Sequence, residues 1–177
     1  MTAEQRSILS ITHIPHTFIM ALTRSPPPFG VYTPLVTFFN TDESLDLEAT
    51  TQHALRMAKG GVVGLVIQGS NGEAPHLLHS ERQTLVRTVK EALKDFDIKL
   101  IVGCGAASVR ETLLYVSEAK EAGADYGLVL PPAYWTAAMS VPVIEKFFED
   151  VGGPCFRNFE SDCWCFDRLQ LHQICLS

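Results

Sequence analysis

Three short stretches carry the residue types that chemistry needs. In Gln68-Gly69-Ser70-Asn71-Gly72-Glu73 a hydroxyl and an amide sit between two glycines. Glycines let a backbone turn sharply and bring its N–H groups up to a ligand, so this loop suits a carboxylate or another small anion. Asn71-Gly72 also reads as a plain tight turn, and the residues alone leave the two readings balanced. In Pro131-Pro132-Ala133-Tyr134-Trp135 the phenol of Tyr134 offers a proton relay at a pocket mouth, or else an aromatic packed on a neighbouring helix. Gly103-Cys104-Gly105-Ala106-Ala107-Ser108 starts like a dinucleotide fingerprint, but Ser108 stands where the third glycine belongs. No glycine loop is followed by Gly-Lys-Ser/Thr, which excludes a P-loop.

Metal chemistry finds little support. His76 and His79 are three apart, but no nearby carboxylate or thiol completes a set with them, and they read as solvated loop histidines. Cys163, Cys165, His172 and Cys175 form a passable ligand inventory, but their Cys-x-Cys start lacks the usual zinc spacing. No cofactor is expected.

The elements that must position these loops alternate in type. Val31 to Phe38 is β-rich, and Asp46 to Lys59 has helical spacing ended by Gly60-Gly61. Val62 to Ile67 is a nearly continuous apolar run, the pattern of a parallel strand buried on both faces. A second helix is predicted from Ser80, with Gln83 completing a capping box and Leu85, Val89, Ala92 and Leu93 facing inward. Lys99 to Gly103 reads as a third strand. Ser108 and Glu111 cap a third helix that stops at Gly123. Asp125 to Leu130 reads as a fourth strand, and Val141 to Asp150 as a fourth helix capped by Ser140. Four βα units in a row imply parallel strands with right-handed crossovers. Either an open doubly wound sheet or a barrel would serve, and both put chemistry at the strand C-termini.

Three blocks divide the 177 residues. Residues 1–28 are an irregular extension closing on a triple proline, with 1–19 expected to add nothing to the fold. Residues 29–150 hold the repeating units, and 151–177 form a tail without that rhythm. A net charge of −6 argues against a nucleic-acid partner, because phosphate binding needs a basic face. No apolar run approaches the ~18–20 residues that span a bilayer, so no membrane role is expected. Five cysteines, four of them in the tail, make no even-numbered disulfide framework. The chain reads as intracellular, with the cytoplasm expected and a mitochondrial address in residues 1–20 as the second reading.

From about Gly30 to Asp150 the chain resembles the dihydrodipicolinate synthase / N-acetylneuraminate lyase family, and its 4-hydroxy-2-oxoglutarate aldolase-like branch in particular. The resemblance is carried by Val31-Tyr32-Thr33-Pro34-Leu35-Val36-Thr37-Phe38, Gly69-Ser70-Asn71-Gly72-Glu73, Ser80-Glu81-Arg82, Val102-Gly103-Cys104-Gly105 and Leu130-Pro131-Pro132-Ala133-Tyr134. It implies a (β/α)8 TIM barrel, a fold of ~250 residues, of which this chain would be a partial barrel of about four βα units with an aberrant C-terminal tail. It also implies a class I aldolase or lyase that binds a pyruvate-like 2-oxo acid as an imine on a lysine of the sixth strand. Gly69, Ser70, Asn71 and Gly72 would then hold the substrate carboxylate. Ser70 and Tyr134 would form the proton relay, with Tyr134 serving it from a neighbouring subunit. Ala133 departs from the commoner double tyrosine.

The larger departure follows Val151. The family runs on into a strand ending in a Tyr-Asn-x-Pro motif and then the lysine strand, whereas this chain reads Gly152-Gly153-Pro154-Cys155-Phe156-Arg157-Asn158-Phe159. Lys146, the last lysine, lies in the fourth helix. The expectation is therefore a family member that lacks the Schiff-base lysine and is inactive as it stands. The alternative is a truncated, non-catalytic isoform that associates with itself or with full-length subunits. A nucleotide-binding α/β module is the third reading, and it lacks its third glycine.

Overall fold

The computed structural model describes residues 27–158. The readings placed on 1–26 and on 159–177, including the mitochondrial address and the zinc set at Cys163, Cys165, His172 and Cys175, lie outside those residues. Four strands and four helices alternate: β1 (Tyr32–Pro34), α1 (Leu47–Lys59), β2 (Gly64–Ile67), α2 (His79–Ala92), β3 (Lys99–Gly103), α3 (Val109–Ala122), β4 (Tyr126–Leu128) and α4 (Val141–Asn158). The strands are parallel and lie in the order β1-β2-β3-β4. A doubly wound sheet reverses its strand order at a switch point. This sheet has no reversal, and each helix packs on the next, α1 on α2, α2 on α3 and α3 on α4. One sheet face therefore carries all the helices, which is the wall of a barrel.

Pairing register explains why the strand sequences are apolar throughout. Leu65 sits beside Leu100, and Ile67 beside Val102. These residues, with Val129, pack against Ala54, Ala58, Val86, Val89, Val116 and Ala119 of the helices. The alternate positions form a row on the other face, Pro34–Val66–Ile101–Tyr126. Alanines on α1 and α3 let those helices close on the sheet, and Leu65, Leu100 and Val89 are wholly buried. Burying a side chain of that size contributes roughly 1.5–3 kcal/mol. At the strand N-termini the Asp125 carboxylate accepts from the Leu100 N–H and from Lys90 Nζ, both at 2.8 Å, which ties β3, β4 and α2 together.

Several ends differ from the sequence reading. The first strand is three residues long rather than eight; beyond it only the Leu35 N–H reaches Val66 O, at 2.9 Å. Ser108 caps α3 through Glu111 N, as predicted, and Asp46, not singled out as a cap in the sequence, caps α1 through Ala49 N. The second helix starts at His79, not Ser80. Its reciprocal contact is the Glu81 carboxylate accepting from Leu78 N at 2.8 Å, so Ser80 and Gln83 make no capping box. The fourth helix continues past Asp150 to Asn158, through Gly152, Gly153 and Pro154. Those residues disfavour helix interiors, but Val151 is fully buried and its packing outweighs their local preference.

Gly103 is the tightest point of the sheet. A Cβ there would fall inside the Gln68 carbonyl oxygen, whereas a Cβ on Gly69 would meet only Val66 Cγ1, at 3.9 Å. Gly103→Ala is expected to lower the stability of the chain by about 3 kcal/mol or more. Gly69→Ala should change it by less than about 1 kcal/mol. Urea unfolding of the two variants beside the parent chain measures both, and equal midpoints for the pair would refute the assignment.

Candidate active site

Parallel strands send every βα loop to one end of the sheet. Ser70, after β2, and Tyr134, after β4, therefore share the strand C-terminal end, as do Cys104 and the segment after β1. The loop after β2 is a double turn: Gly72 N donates to Gly69 O at 3.1 Å and Glu73 N to Ser70 O at 3.2 Å. A short 3₁₀ turn at Ala74–His76 follows. The turn reading and the ligand reading are thus compatible. Ser70 and Asn71 sit at its exposed tip, with no side-chain partner among the described residues.

The glycines serve differently from their expected use. Neither Gly69 nor Gly72 has a positive φ; the left-handed residues are Gln68 (φ 55°) and Glu73 (φ 53°), which bracket the loop. Gly72 is buried, and a Cβ on it would lie 2.9 Å from Gln68 N and 3.2 Å from Leu35 O. Its role is close backbone approach. Left-handed backbone at non-glycine residues is strained and persists only when neighbours hold it.

Three of those neighbours were missed in the sequence. Thr37 Oγ1, beyond β1, donates to Gly72 O at 2.7 Å. Gln68 is 3% exposed and its Nε2 donates to the Arg82 carbonyl at 2.7 Å. The Arg82 guanidinium donates to Ala74 O at 3.2 Å and to Gly103 O, and its Cζ lies 4.0 Å from the centroid of the Tyr115 ring. Burial pulls the Arg82 pKa down, against the raising influence of Cys104, Tyr115, Glu118 and Glu111. Burial likewise pushes the Tyr115 phenol up, with Arg82 opposing. A signal for Arg82 was available: it precedes Leu85 by three residues and Val89 by seven, on the buried stripe of α2.

The other candidates separate. Tyr134 is 79% exposed and meets Trp135 edge to face, with ring centroids 4.9 Å apart. No hydrogen bond joins it to Ser70 among the described residues. His76 pairs with Glu73 at 2.9 Å. His79 is the first residue of α2 rather than a loop residue; it pairs with Glu118 at 2.9 Å and stacks on Tyr115 at 4.7 Å. The two histidines have different partners, and among the described residues no three His, Cys, Asp or Glu side chains gather as a metal set. No helix there is long and apolar enough to cross a membrane.

Comparison with known proteins matches residues 27–152 to the dihydrodipicolinate synthetase family. A protein of Emericella nidulans named "Probable 4-hydroxy-2-oxoglutarate aldolase, mitochondrial" is 42% identical over 125 residues, which cover 69% of this chain and 40% of that one. A dihydrodipicolinate synthase family protein from Coccidioides immitis has a crystal structure that matches with TM-score 0.65 and 41% identity, over 72% of this chain and 41% of its own. YagE, a prophage protein of the same family from E. coli K12 solved in complex with pyruvate, matches with TM-score 0.63 and 32% identity, over 71% and 41%. The chain thus spans about two-fifths of the length of these relatives, and its sheet is the N-terminal part of their TIM barrel. The ordered βα units, the Gly69–Glu73 loop at the strand C-termini and these matches agree: the chain belongs to the dihydrodipicolinate synthetase family.

Proposed function

We propose that the Gly69–Glu73 loop is the carboxylate-binding part of a pyruvate-type aldolase or synthase site, and that this 177-residue chain does not itself catalyse the reaction. The carboxylate role is supported by the exposed Ser70 and Asn71 side chains on a turn held rigid from Thr37, Gln68 and Arg82. It is also supported by the pyruvate complex of the YagE relative. Tyr134 keeps its proposed relay role, shared with Ser70 and completed only in an assembly, because its ring is exposed.

The observation that carries the inactivity is the placement of the six lysines. Imine catalysis needs an amine at the strand C-termini with its pKa lowered, so that the free base attacks the 2-oxo carbon and the protonated imine accepts electrons. Lys59, Lys90, Lys120 and Lys146 lie in helices, Lys94 just beyond α2, and Lys99 opens β3 at the opposite end of the sheet. Hydrogen bonds donated to the carboxylates of Glu91, Asp97 and Asp150 push Lys94, Lys99 and Lys146 upward in pKa. That is the wrong direction for a nucleophile. Incubation with pyruvate and borohydride is expected to leave the mass of the chain unchanged. A stoichiometric adduct on one lysine would overturn the proposal.

A second reading, an assembly partner without catalysis, is favoured by the sheet edges. β1 and β4 each have one described neighbour; Phe29 and Val31 just before β1 and Trp135 after β4 are exposed, as are Val141 and Val143 of α4. Unpaired strand edges flanked by apolar side chains promote pairing with further chains. The partners are further copies or full-length subunits. Sedimentation of the purified chain is expected to show self-association, and a cooperatively folded monomer would contradict it. Of the two expected locations, cytoplasm and mitochondrion, the name of the Emericella relative supports the second.

A further inference from the structure

Arg82 is a buried charge, 5% exposed, with no carboxylate partner among the described residues. Taking a guanidinium out of water carries a heavy penalty unless its donors are well met. Here they are met by backbone: Nη1 donates to Ala74 O at 3.2 Å and Nη2 to Gly103 O. The Arg82 carbonyl in turn accepts from Gln68 Nε2 at 2.7 Å. Gln68 immediately precedes the Gly69–Glu73 loop, Ala74 immediately follows it, and Gly103 ends the neighbouring strand. One residue therefore grips both ends of the loop and fixes them against β3. Packing of α2 on α3 does not require this, because Val86, Val89 and Val116 already supply it. From the helix layer the Tyr115 ring, 4.0 Å from Cζ, touches Arg82, and the Glu111 and Glu118 carboxylates act on it electrostatically.

We infer that Arg82 is a positioning residue, which sets the Gly69–Glu73 loop at the mouth through the Ala74 and Gly103 carbonyls without touching substrate. The inference rests on the proposed carboxylate-binding role of that loop. A planar fork reaches two carbonyls at fixed separation, and a lysine, a single flexible point charge, does not reproduce it. A purely structural role would loosen the whole helix layer, whereas a positioning role loosens the loop alone.

Hydrogen exchange on the full chain separates the two, comparing the parent with Arg82→Lys and Arg82→Ala. Segment 69–76 is expected to exchange about tenfold faster in both variants, with 84–93 and 111–120 at parent rates. Methylguanidine added to Arg82→Ala should restore segment 69–76. Pyruvate should protect that segment in the parent and not in the variants. Unchanged exchange in the loop, or equal acceleration of all three segments without rescue, would overturn the inference, as would failure of both variants to fold. If pyruvate leaves the parent unprotected while the variants still release the loop, the carboxylate reading fails and the positioning role stands.

Discussion

The geometry of the mouth depends on how closely the backbones of β2 and β3 converge where they end. The Gln68 carbonyl occupies the space a side chain on Gly103 would need. Only glycine allows that approach, and the approach leaves Gln68 in a left-handed conformation at the end of β2. From there the chain doubles back so tightly that a Cβ on Gly72 would crowd Gln68 N and Leu35 O. The loop is therefore shaped from β1, β2 and β3 together. Its glycines act through the absence of a Cβ, and the unusual torsions fall on the residues beside them.

A polar network built into an apolar layer has to be satisfied throughout, because a half-satisfied one is worse than hydrocarbon. The Gln68–Arg82 pair meets this condition with backbone carbonyls and an aromatic face. Tyr115 links it outward to His79, which stacks on the same ring and bonds Glu118. The α2–α3 contact near the mouth is thus polar and aromatic, while deeper in the layer it is aliphatic, with Val86, Val89 and Val116. The loop tip stays open to solvent while hydrogen bonds from Thr37, Gln68 and Arg82 hold its base.

Much of this was legible in the residues because period and punctuation are local. The helix faces, the Ser108 cap and the stops at Gly60-Gly61 and Gly123 follow from patterns within a few residues. The choice between barrel wall and doubly wound sheet was not legible from periodicity, since strand order is a property of pairing over long separations; the resemblance of the loop motifs pointed to the barrel, and the strand order bears it out. The shortness of β1 escaped for a related reason: an apolar run marks burial, and Leu35 is buried beyond the strand without extending it. The run of α4 through Gly152, Gly153 and Pro154 shows tertiary packing at Val151 overriding local preference. At the site, the Ser70–Asn71 tip could be read from residue types. Gln68 and Arg82 could not be given roles, because a polar residue on an apolar stripe shows only that it is buried and leaves its partner unnamed.

Under the proposed reading, binding and chemistry make opposite demands on charge, and this chain meets one of them. Holding a carboxylate calls for neutral donors and rigid backbone, since the ligand brings its own charge; the β2–α2 unit and its two neighbours supply both. Forming an imine calls for an amine kept from its proton, by burial or by a neighbouring cation. Lys94, Lys99 and Lys146 have the reverse environment, each beside a carboxylate that stabilises its protonated form. Those pairs suit lysines on the outer helices and at the strand starts, where exposed, solvent-screened ion pairs fasten surface turns and add little to stability. Changing the charges would not make one of them a nucleophile, because none lies at the strand C-termini. Under that reading the imine must come from another amine, a nucleophile that approaches the Ser70–Asn71 tip from the side of the sheet the helices leave uncovered.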